Sequence, residues 1–162
     1  MPASDPLIAD LSSRVSQLNA EYARAIDDDR LEEWPAFFLE RCLYKITSAD
    51  NYRKGLPAGI VYADSRGMLE DRVAALRDAN IYERQTYRHL VGLPAIVGAE
   101  GDVTRAETPF LVVRIMHDGT MDLFATGRYL DALVDDGGVL RLRERVVVCD
   151  SSRFDTLLAI PL

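Results

Sequence analysis

The chain has 162 residues, of which 48% are hydrophobic and 28% charged, and its formal net charge is −7 at pH 7. This length and balance suit one globular domain, residues 1–162, that buries roughly 70% of its unfolded surface. The acidic charge disfavours a nucleic-acid partner, because phosphate binding requires a cationic surface. No signal-like segment and no run of about 18 apolar residues occurs, so we expect neither export nor a membrane partner.

The two cysteines, Cys42 and Cys149, are far apart in the sequence. Few and unclustered cysteines are typical of a reducing compartment, where thiols pack as small apolar side chains. We therefore expect a cytoplasmic protein in which a disulfide between them is disfavoured.

The first predicted element is a long amphipathic helix. Ser4 or Asp5 can cap it, and Pro6 suits its first turn. Apolar residues then recur every three or four positions, which defines one buried face: Leu7, Ile8, Leu11, Val15, Leu18, Tyr22, Ala25 and Ile26.

A short aromatic helix and a strand follow. Asp29 and Glu32 have the spacing of a capping box, and Pro35 is expected in the first turn or just past it. Trp34, Phe37 and Phe38 form an apolar flank. Beyond Arg41 the hydrophobic period changes to two, which predicts a strand. Residues 49–63 contain Gly and Pro among polar residues and predict a long loop, and residues 65–79 predict a further helix.

The second half of the chain is predicted to form strands over residues 82–94, 103–117, 120–133 and 139–150. Pro109 interrupts the second of these, which indicates a bulge or an edge strand. Asp118-Gly119 is predicted to close one hairpin, and residues 135–138 the next. Helices followed by a meander predict an α+β fold with one strongly curved antiparallel sheet.

The last strand alternates between an apolar and a basic face. Its apolar face is predicted to contain Leu140, Leu142, Val146 and Val148. The opposite face would contain Arg141, Arg143 and Arg145, either as a solvated outer ladder or as a site for carboxylates of a partner subunit.

Metal and nucleotide sites are not supported by the sequence. His89, His117 and the two isolated cysteines lack the paired spacings that iron–sulfur, mononuclear iron or structural zinc sites require. No phosphate-binding glycine loop and no G-x-S-x-G motif occurs. We assign no catalytic, cofactor-binding or metal-binding residue.

Acid–base chemistry inside a cone-shaped pocket is the alternative that the residues allow. His89, Glu144 and Tyr22 could provide a general base and hydrogen-bond donors if all three faced one cavity. Each also has a structural interpretation. His89 would be a satisfied core residue, and Glu144 would pair with an arginine such as Arg128 or Arg114. Tyr22 would pack the helix and keep its hydroxyl in contact with water. His117 is expected to be exposed and without function.

Several stretches resemble the small, or beta, subunit of aromatic-ring-hydroxylating dioxygenases. They are E-E-W-P-A-F-F, Y-R-H-L-V-G-L-P, A-N-I-Y-E-R and the final V-V-V-C-D-S-S-R-F-D-T-L-L-A-I-P-L. The last two make the chain most similar to small subunits that act on carboxylated aromatics such as terephthalate. The end of the chain departs from the hydrocarbon type, because it lacks that type's paired aromatic residues.

This resemblance implies a fold like that of nuclear transport factor 2, in which N-terminal helices pack on the concave side of a curved mixed or antiparallel sheet. It further implies a hexamer of three large and three small subunits. The large subunit would hold a Rieske [2Fe–2S] cluster and a mononuclear Fe(II), supplied with electrons from NAD(P)H by a reductase. The small subunit would be structural. The competing functions are a stand-alone isomerase or dehydratase using His89, Glu144 and Tyr22, and a binding module that pairs through its sheet.

Overall fold

The computed structural model describes residues 5–57, 59–79, 84–153 and 160–162. A helix and a 3₁₀ helix precede a sheet into which two further helices are inserted. In chain order the elements are α1 (Pro6–Asp27), the 3₁₀ helix (Leu31–Phe37), β1 (Phe38–Ser48), α2 (Ala49–Arg53), β2 (Val61–Ala63), α3 (Arg66–Asp78), β3 (Gln85–Val91), β4 (Ala95–Glu100), β5 (Val103–Met116), β6 (Met121–Asp136) and β7 (Val139–Cys149).

One mixed sheet of seven strands organises the molecule. Its order is β2-β1-β7-β6-β5-β3, and β4 also pairs with β5. The pairing of β1 with β7 is parallel, and all the other pairings are antiparallel. The helix α1 packs against β3 and reaches β4 and β7. The predicted α+β fold with helices on the concave side of a curved sheet is confirmed.

The predicted stripe of α1 faces this sheet from its third turn onward. The Asp5 carboxylate accepts a hydrogen bond from the Leu7 amide at 3.0 Å and caps the helix, while Ser4 lies outside the described residues. The first turn is exposed at Leu7 and Ile8. The buried positions are Val15, Leu18, Asn19, Tyr22, Ala23, Ala25 and Ile26. None of the described helices is both long enough and apolar enough to cross a membrane.

The predicted capping box at Asp29 and Glu32 is wrong. Asp29 adopts a left-handed conformation (φ 59°), and Arg30 occupies the cap position, where its side chain makes no capping hydrogen bond. Both carboxylates instead bind Arg77 of α3, at 2.8 Å from Asp29 and 2.6 Å from Glu32. The guanidinium offers Glu32 two parallel donors and a full positive charge, which a backbone N–H at a cap does not. The hydrogen bonds from Arg77 lower the pKa of Glu32 to about 2.

The described part of residues 49–63 contains a short helix and a short strand where a long loop was predicted. Ser48 caps the short helix α2 through its hydroxyl, which accepts from the Asn51 amide at 3.2 Å. The edge strand β2 buries Val61 and Ala63 and directs Tyr62 outward. Elements of five and three residues are too short for a periodic pattern to predict them.

Pro109 lies neither at a bulge nor on an edge strand. On one side of β5, pairing with β4 ends at Glu107 and pairing with β3 begins at Phe110. Pro109 therefore occupies the gap between the two neighbours, where its missing N–H breaks no ladder. Its carbonyl accepts from the Gly92 amide at 2.8 Å. The strand β4 was not predicted.

The two predicted hairpins connect consecutive strands. Gly137 and Gly138 form the two-residue turn between β6 and β7 with φ values of 64° and 91°, the positive values that this turn requires. The other loop is one residue longer than predicted. The Met116 amide donates to the Thr120 carbonyl at 2.9 Å, which leaves three residues between them.

Candidate functional site

A β-bulge in β7 determines which side chains enter the interior. Ala132 of β6 lies opposite Glu144, and the next residue of β6 lies opposite Leu142, so Arg143 is an extra residue. An extra residue exchanges the two faces of a strand. Arg145 therefore points inward and is completely buried. The predicted ladder of three outer arginines is wrong at this position, and the predicted face of Val146 and Val148 is reversed for the same reason.

Arg145 forms a buried ion pair with Asp131. Its Nε and Nη2 donate to the two carboxylate oxygens at 2.8 and 2.7 Å, and both side chains are 0% exposed. Nη2 also donates to Asn19 Oδ1 at 2.5 Å, and Asn19 Nδ2 donates to Thr108 Oγ1 at 3.3 Å. Burial by itself lowers the pKa of Arg145, but the charge and hydrogen bonds of Asp131 outweigh it and raise that pKa.

Aromatic rings enclose this ion pair. The guanidinium carbon of Arg145 lies 4.3 Å from the ring centre of Tyr22 and 4.0 Å from that of Tyr129. Such cation–π contacts stabilise a desolvated cation. Tyr129 in turn stacks on Phe110 with ring centres 4.6 Å apart. The polar network is therefore part of the packed core.

A second aromatic group fills the other part of the interior. Trp34 makes edge contacts with Phe38 at 5.8 Å and with Tyr44 at 5.1 Å, and all three are fully buried. The hydroxyls of Tyr22 and Tyr44 donate to the Leu162 carbonyl at 2.8 and 3.0 Å. Aromatic side chains thus fill the space around Tyr22.

His89 is held by Asp27 of α1. Its backbone amide donates to one carboxylate oxygen at 2.8 Å, and its Nδ1 lies 2.6 Å from the other. Nδ1 must carry the proton, because a carboxylate only accepts. Nε2 is buried, and no described residue is its hydrogen-bond partner. The ring packs edge-on against Tyr87, with centres 6.1 Å apart. An Asp–His pair can orient a general base, but this one is closed to solvent.

The three residues of the acid–base alternative are not brought together. Tyr22 is bound to the Leu162 carbonyl, His89 to Asp27, and Glu144 lies on the outer side of β7 because of the bulge. Glu144 borders a surface concavity of about 330 Å³ that also contains Arg105 and Arg143.

The predicted arginine partners of Glu144 bind other carboxylates. Arg128 donates to Glu107 and Arg114 donates to Asp122, each at 2.9 Å. The predicted ion pair between Glu144 and Arg128 or Arg114 is therefore wrong. His117 is exposed beside its turn, as predicted.

The residues available for metal binding do not fit an iron or iron–sulfur centre. Within the described ranges, no group of three His, Cys, Asp or Glu side chains could hold a metal ion. Cys42 and Cys149 are free and buried. Burial raises the pKa of Cys42 to about 11 and that of Cys149 to about 12. Both therefore remain thiols at neutral pH, whereas a metal requires the thiolate.

Sequence reasoning missed Asp27, Asn19 and Asp131. One signal was available for Asn19, which lies four residues after Val15 and therefore interrupts the apolar stripe of α1. A polar residue at such a position indicates a buried partner. A groove of about 650 Å³ was also missed. It lies between α1, the 3₁₀ helix and the β6–β7 turn and includes Arg14, Phe37 and Val139.

The buried tyrosines predict destabilisation at alkaline pH. Burial raises the pKa of Tyr22, Tyr44 and Tyr129 above the ordinary value of 10.0. Because the unfolded chain loses these protons first, their contribution to stability is complete below pH 10 and is lost as the pH rises further. We expect the urea midpoint to fall above pH 10 and to fall less in Tyr129→Phe. An equal decline in both proteins would contradict this assignment.

Replacing Asp27 with alanine should lower the free energy of unfolding by about 1–3 kcal/mol, since two buried donors of His89 lose their acceptor. The neighbouring Asp28 is half-exposed, and Asp28→Ala is the matched control, with an expected change within about 0.5 kcal/mol. Denaturant unfolding measures both. Equal effects would show that the Asp27 contacts contribute no specific stability.

Comparisons with known proteins agree with this geometry. Residues 21–156 match the family model described as the ring hydroxylating beta subunit. The chain is 52% identical over 149 residues to subunit beta 1 of the terminal oxygenase component of terephthalate 1,2-dioxygenase from Comamonas sp, covering 92% of this chain and 97% of that protein. It is 40% identical to the anthranilate 1,2-dioxygenase small subunit from Burkholderia cepacia, covering 91% and 92%.

A crystal structure shows the same architecture. It is a beta subunit assigned to an aromatic-ring-hydroxylating dioxygenase of Novosphingobium aromaticivorans, with a TM-score of 0.89 and 41% identity. The match covers 96% of this chain and 99% of that one. Sequence and fold agree, and the chain belongs to the family of ring-hydroxylating dioxygenase beta subunits.

Proposed function

We propose that this chain is the structural small subunit of a dioxygenase that dihydroxylates a carboxylated aromatic ring. The large subunit would contain the Rieske cluster and the mononuclear iron. The relatives named above are subunits of enzymes for terephthalate and anthranilate, and both compounds are aromatic carboxylates. The identity of 52% to the terephthalate protein supports that substrate class over hydrocarbons.

The close packing around Tyr22 and Trp34 is the observation that carries the structural role. A pocket enzyme needs a cavity in which a base faces its substrate. Here Trp34 and Tyr22 are fully buried in the cone, and the His89 ring is closed to solvent. Glu144 faces the opposite side of the sheet. This arrangement favours the small-subunit role over a stand-alone isomerase or dehydratase, and we assign no catalytic, cofactor-binding or metal-binding residue to the chain.

The subunit would function as part of a larger oxygenase complex. It would assemble with large subunits and with copies of itself, three of each, and the large subunits would receive electrons from NAD(P)H through a reductase. Residues 1–162 would act as one domain, because a single sheet connects elements from β1 to β7. The free thiols of Cys42 and Cys149 suit a cytoplasmic location.

Reconstitution tests this proposal. A large subunit from the same organism would be purified with and without this chain, and terephthalate, anthranilate and an uncharged arene would be offered with the reductase and NADH. We expect co-purification of the two chains, product only when both are present, and preference for a carboxylated ring. Full activity of the large subunit alone would refute a required structural role. Preference for the uncharged arene would refute the substrate class.

A further inference from the structure

Residues 160–162 are packed into the interior beside Tyr22 and Tyr44. Leu162 is fully buried, and Ile160 is 9% exposed. The Leu162 carbonyl accepts from the Tyr22 hydroxyl at 2.8 Å and from the Tyr44 hydroxyl at 3.0 Å. The Leu162 amide donates back to the Tyr44 hydroxyl at 3.1 Å. Two side chains that are 140 and 118 positions away along the chain therefore hold one residue by its backbone.

Two hydroxyl groups that converge on one oxygen form a site for a carbonyl group. Tyr22 belongs to α1 and Tyr44 to β1, so the helix and the sheet together fix the spacing of the two donors. Burial raises the pKa of both hydroxyls, and both therefore keep their protons at neutral pH. Without Leu162, each hydroxyl would lose the acceptor of its proton inside the core, which destabilises a fold.

Aromatic side chains surround this carbonyl site. The centre of the Tyr22 ring lies 5.6 Å from that of Phe37. The centre of the Tyr44 ring lies 5.1 Å from that of Trp34. Apolar walls with a few polar groups are typical of sites for small molecules. The site therefore suits an acyl compound that has a branched aliphatic group, as Leu162 has.

Ile160 lies between this carbonyl site and a surface concavity of about 450 Å³. Ile26, Leu31, Tyr87 and Ile160 are among the residues that line the concavity. Since Ile26 and Leu31 are buried, the concavity reaches the core beside Ile160. Residues 160–162 continue from there to the two hydroxyls. Their removal would therefore connect the carbonyl site with the surface.

We propose that the cone contains a binding site for small apolar acyl compounds, and that residues 160–162 occupy this site as a plug built into the chain. The plug supplies the carbonyl oxygen and the branched side chain that such a ligand would supply. It thereby keeps other molecules out of this part of the interior. The inference depends on the contacts of residues 160–162 and is independent of the proposed small-subunit role.

A shortened variant that lacks residues 160–162 tests the plug. We expect its urea midpoint to be lower than that of the wild type, and N-acetyl-Ile-Pro-Leu, which has the sequence of the plug, to restore most of the loss. The wild type should not respond, because its site is occupied. N-acetyl-Ile-Pro-Asp is the matched control and should have no effect, since it would bury a carboxylate in place of the leucine side chain.

Binding can be followed directly through Trp34, the chain's single tryptophan, which lies beside Tyr44. In the shortened variant, 4-methylpentanamide should compete with the Leu peptide, because it has the carbonyl and the side chain of Leu162. The amine 4-methylpentylamine lacks the carbonyl and should not compete. Adding Tyr44→Phe to the shortened variant should weaken binding of the Leu peptide about tenfold, since one hydroxyl both donates to and accepts from Leu162.

Three results would overturn the plug. They are a shortened variant with the wild-type urea midpoint, a folded shortened variant that does not bind the Leu peptide, or equal binding of the Leu and Asp peptides. Peptide binding without competition by 4-methylpentanamide would refute the ligand class. If the shortened variant does not fold alone, it would be refolded with an excess of each peptide. Recovery with the Leu peptide only is then the expected result, and recovery with both or with neither would contradict the proposal.

Discussion

Replacing Asp131 with asparagine is expected to lower the free energy of unfolding by about 3–5 kcal/mol. The change leaves the Arg145 guanidinium buried without its counter-charge, and the single oxygen of the new amide replaces only part of the bidentate contact. The total free energy of unfolding of a typical domain is about 5–15 kcal/mol. The variant should therefore unfold at much lower urea concentrations. Chemical denaturation followed by circular dichroism measures the difference.

The exposed pair of Glu107 and Arg128 provides the matched control. Both side chains are more than a third exposed. Glu107→Gln should therefore lower the free energy of unfolding by less than about 1 kcal/mol. Replacing Arg145 with methionine and Asp131 with leucine together should recover most of the loss, because no charge is then left unpaired. An Asp131→Asn variant as stable as the Glu107 variant would show that the buried pair contributes little.

Replacing Trp34 with alanine is also expected to lower the free energy of unfolding strongly, by about 3–5 kcal/mol. The indole is completely buried between α1 and the sheet, and its removal leaves a cavity beside Phe38 and Tyr44. The amount of assembled oxygenase should fall with the amount of folded subunit. Turnover per assembled complex should stay at the wild-type value. Urea unfolding and product formation normalised to complex are the two measurements.

Trp34→Phe separates packing from chemistry. It keeps most of the buried volume and should lose about half as much stability as the alanine variant, by the usual dependence on cavity size. A normal amount of Trp34→Ala complex with reduced turnover would contradict a packing role. It would place this part of the cone near the reaction.

The order of helices and strands was predictable because most of the elements are long and their hydrophobic residues recur with a clear helical or strand period. The stripe of α1 from Val15 to Ile26 and the alternation of β1 from Cys42 onward both follow from one apolar face. Gly137-Gly138 predicted the β6–β7 hairpin because only that turn needs two positive φ values. Each of these signals is local in the sequence.

The errors arise where a distant residue decides the local structure. Arg77, about 45 positions away, binds Asp29 and Glu32 and removes their capping role. The extra residue Arg143 reverses the faces of β7, and strict alternation therefore placed Arg145 outside and Glu144 inside. A bulge has no pattern of its own in a strand rich in both valine and arginine.

In the candidate site, too, local features were predictable and distant partners were not. His89 was predicted to point inward from its place beside Tyr87, and it does. Its partner Asp27 belongs to the end of α1, 62 residues earlier. No spacing rule connects a helix end with a strand at that distance. His89 and Tyr22 both lie in the core, as their structural interpretations require. Two details differ from the prediction: Nε2 of His89 has no partner among the described residues, and the Tyr22 hydroxyl is buried rather than wet. The ion pair predicted for Glu144 was wrong.

Turnover per assembled complex in variants of the interior decides whether the small subunit is purely structural. His89→Gln and Tyr22→Phe would each be assembled with the large subunit, and dihydroxylation would be measured per mole of intact complex. If the subunit only stabilises the complex and takes no part in the reaction, the rate per complex stays at the wild-type value. This holds even where the yield of complex falls. A rate that drops tenfold or more in a complex of normal composition would show that the interior takes part in the reaction.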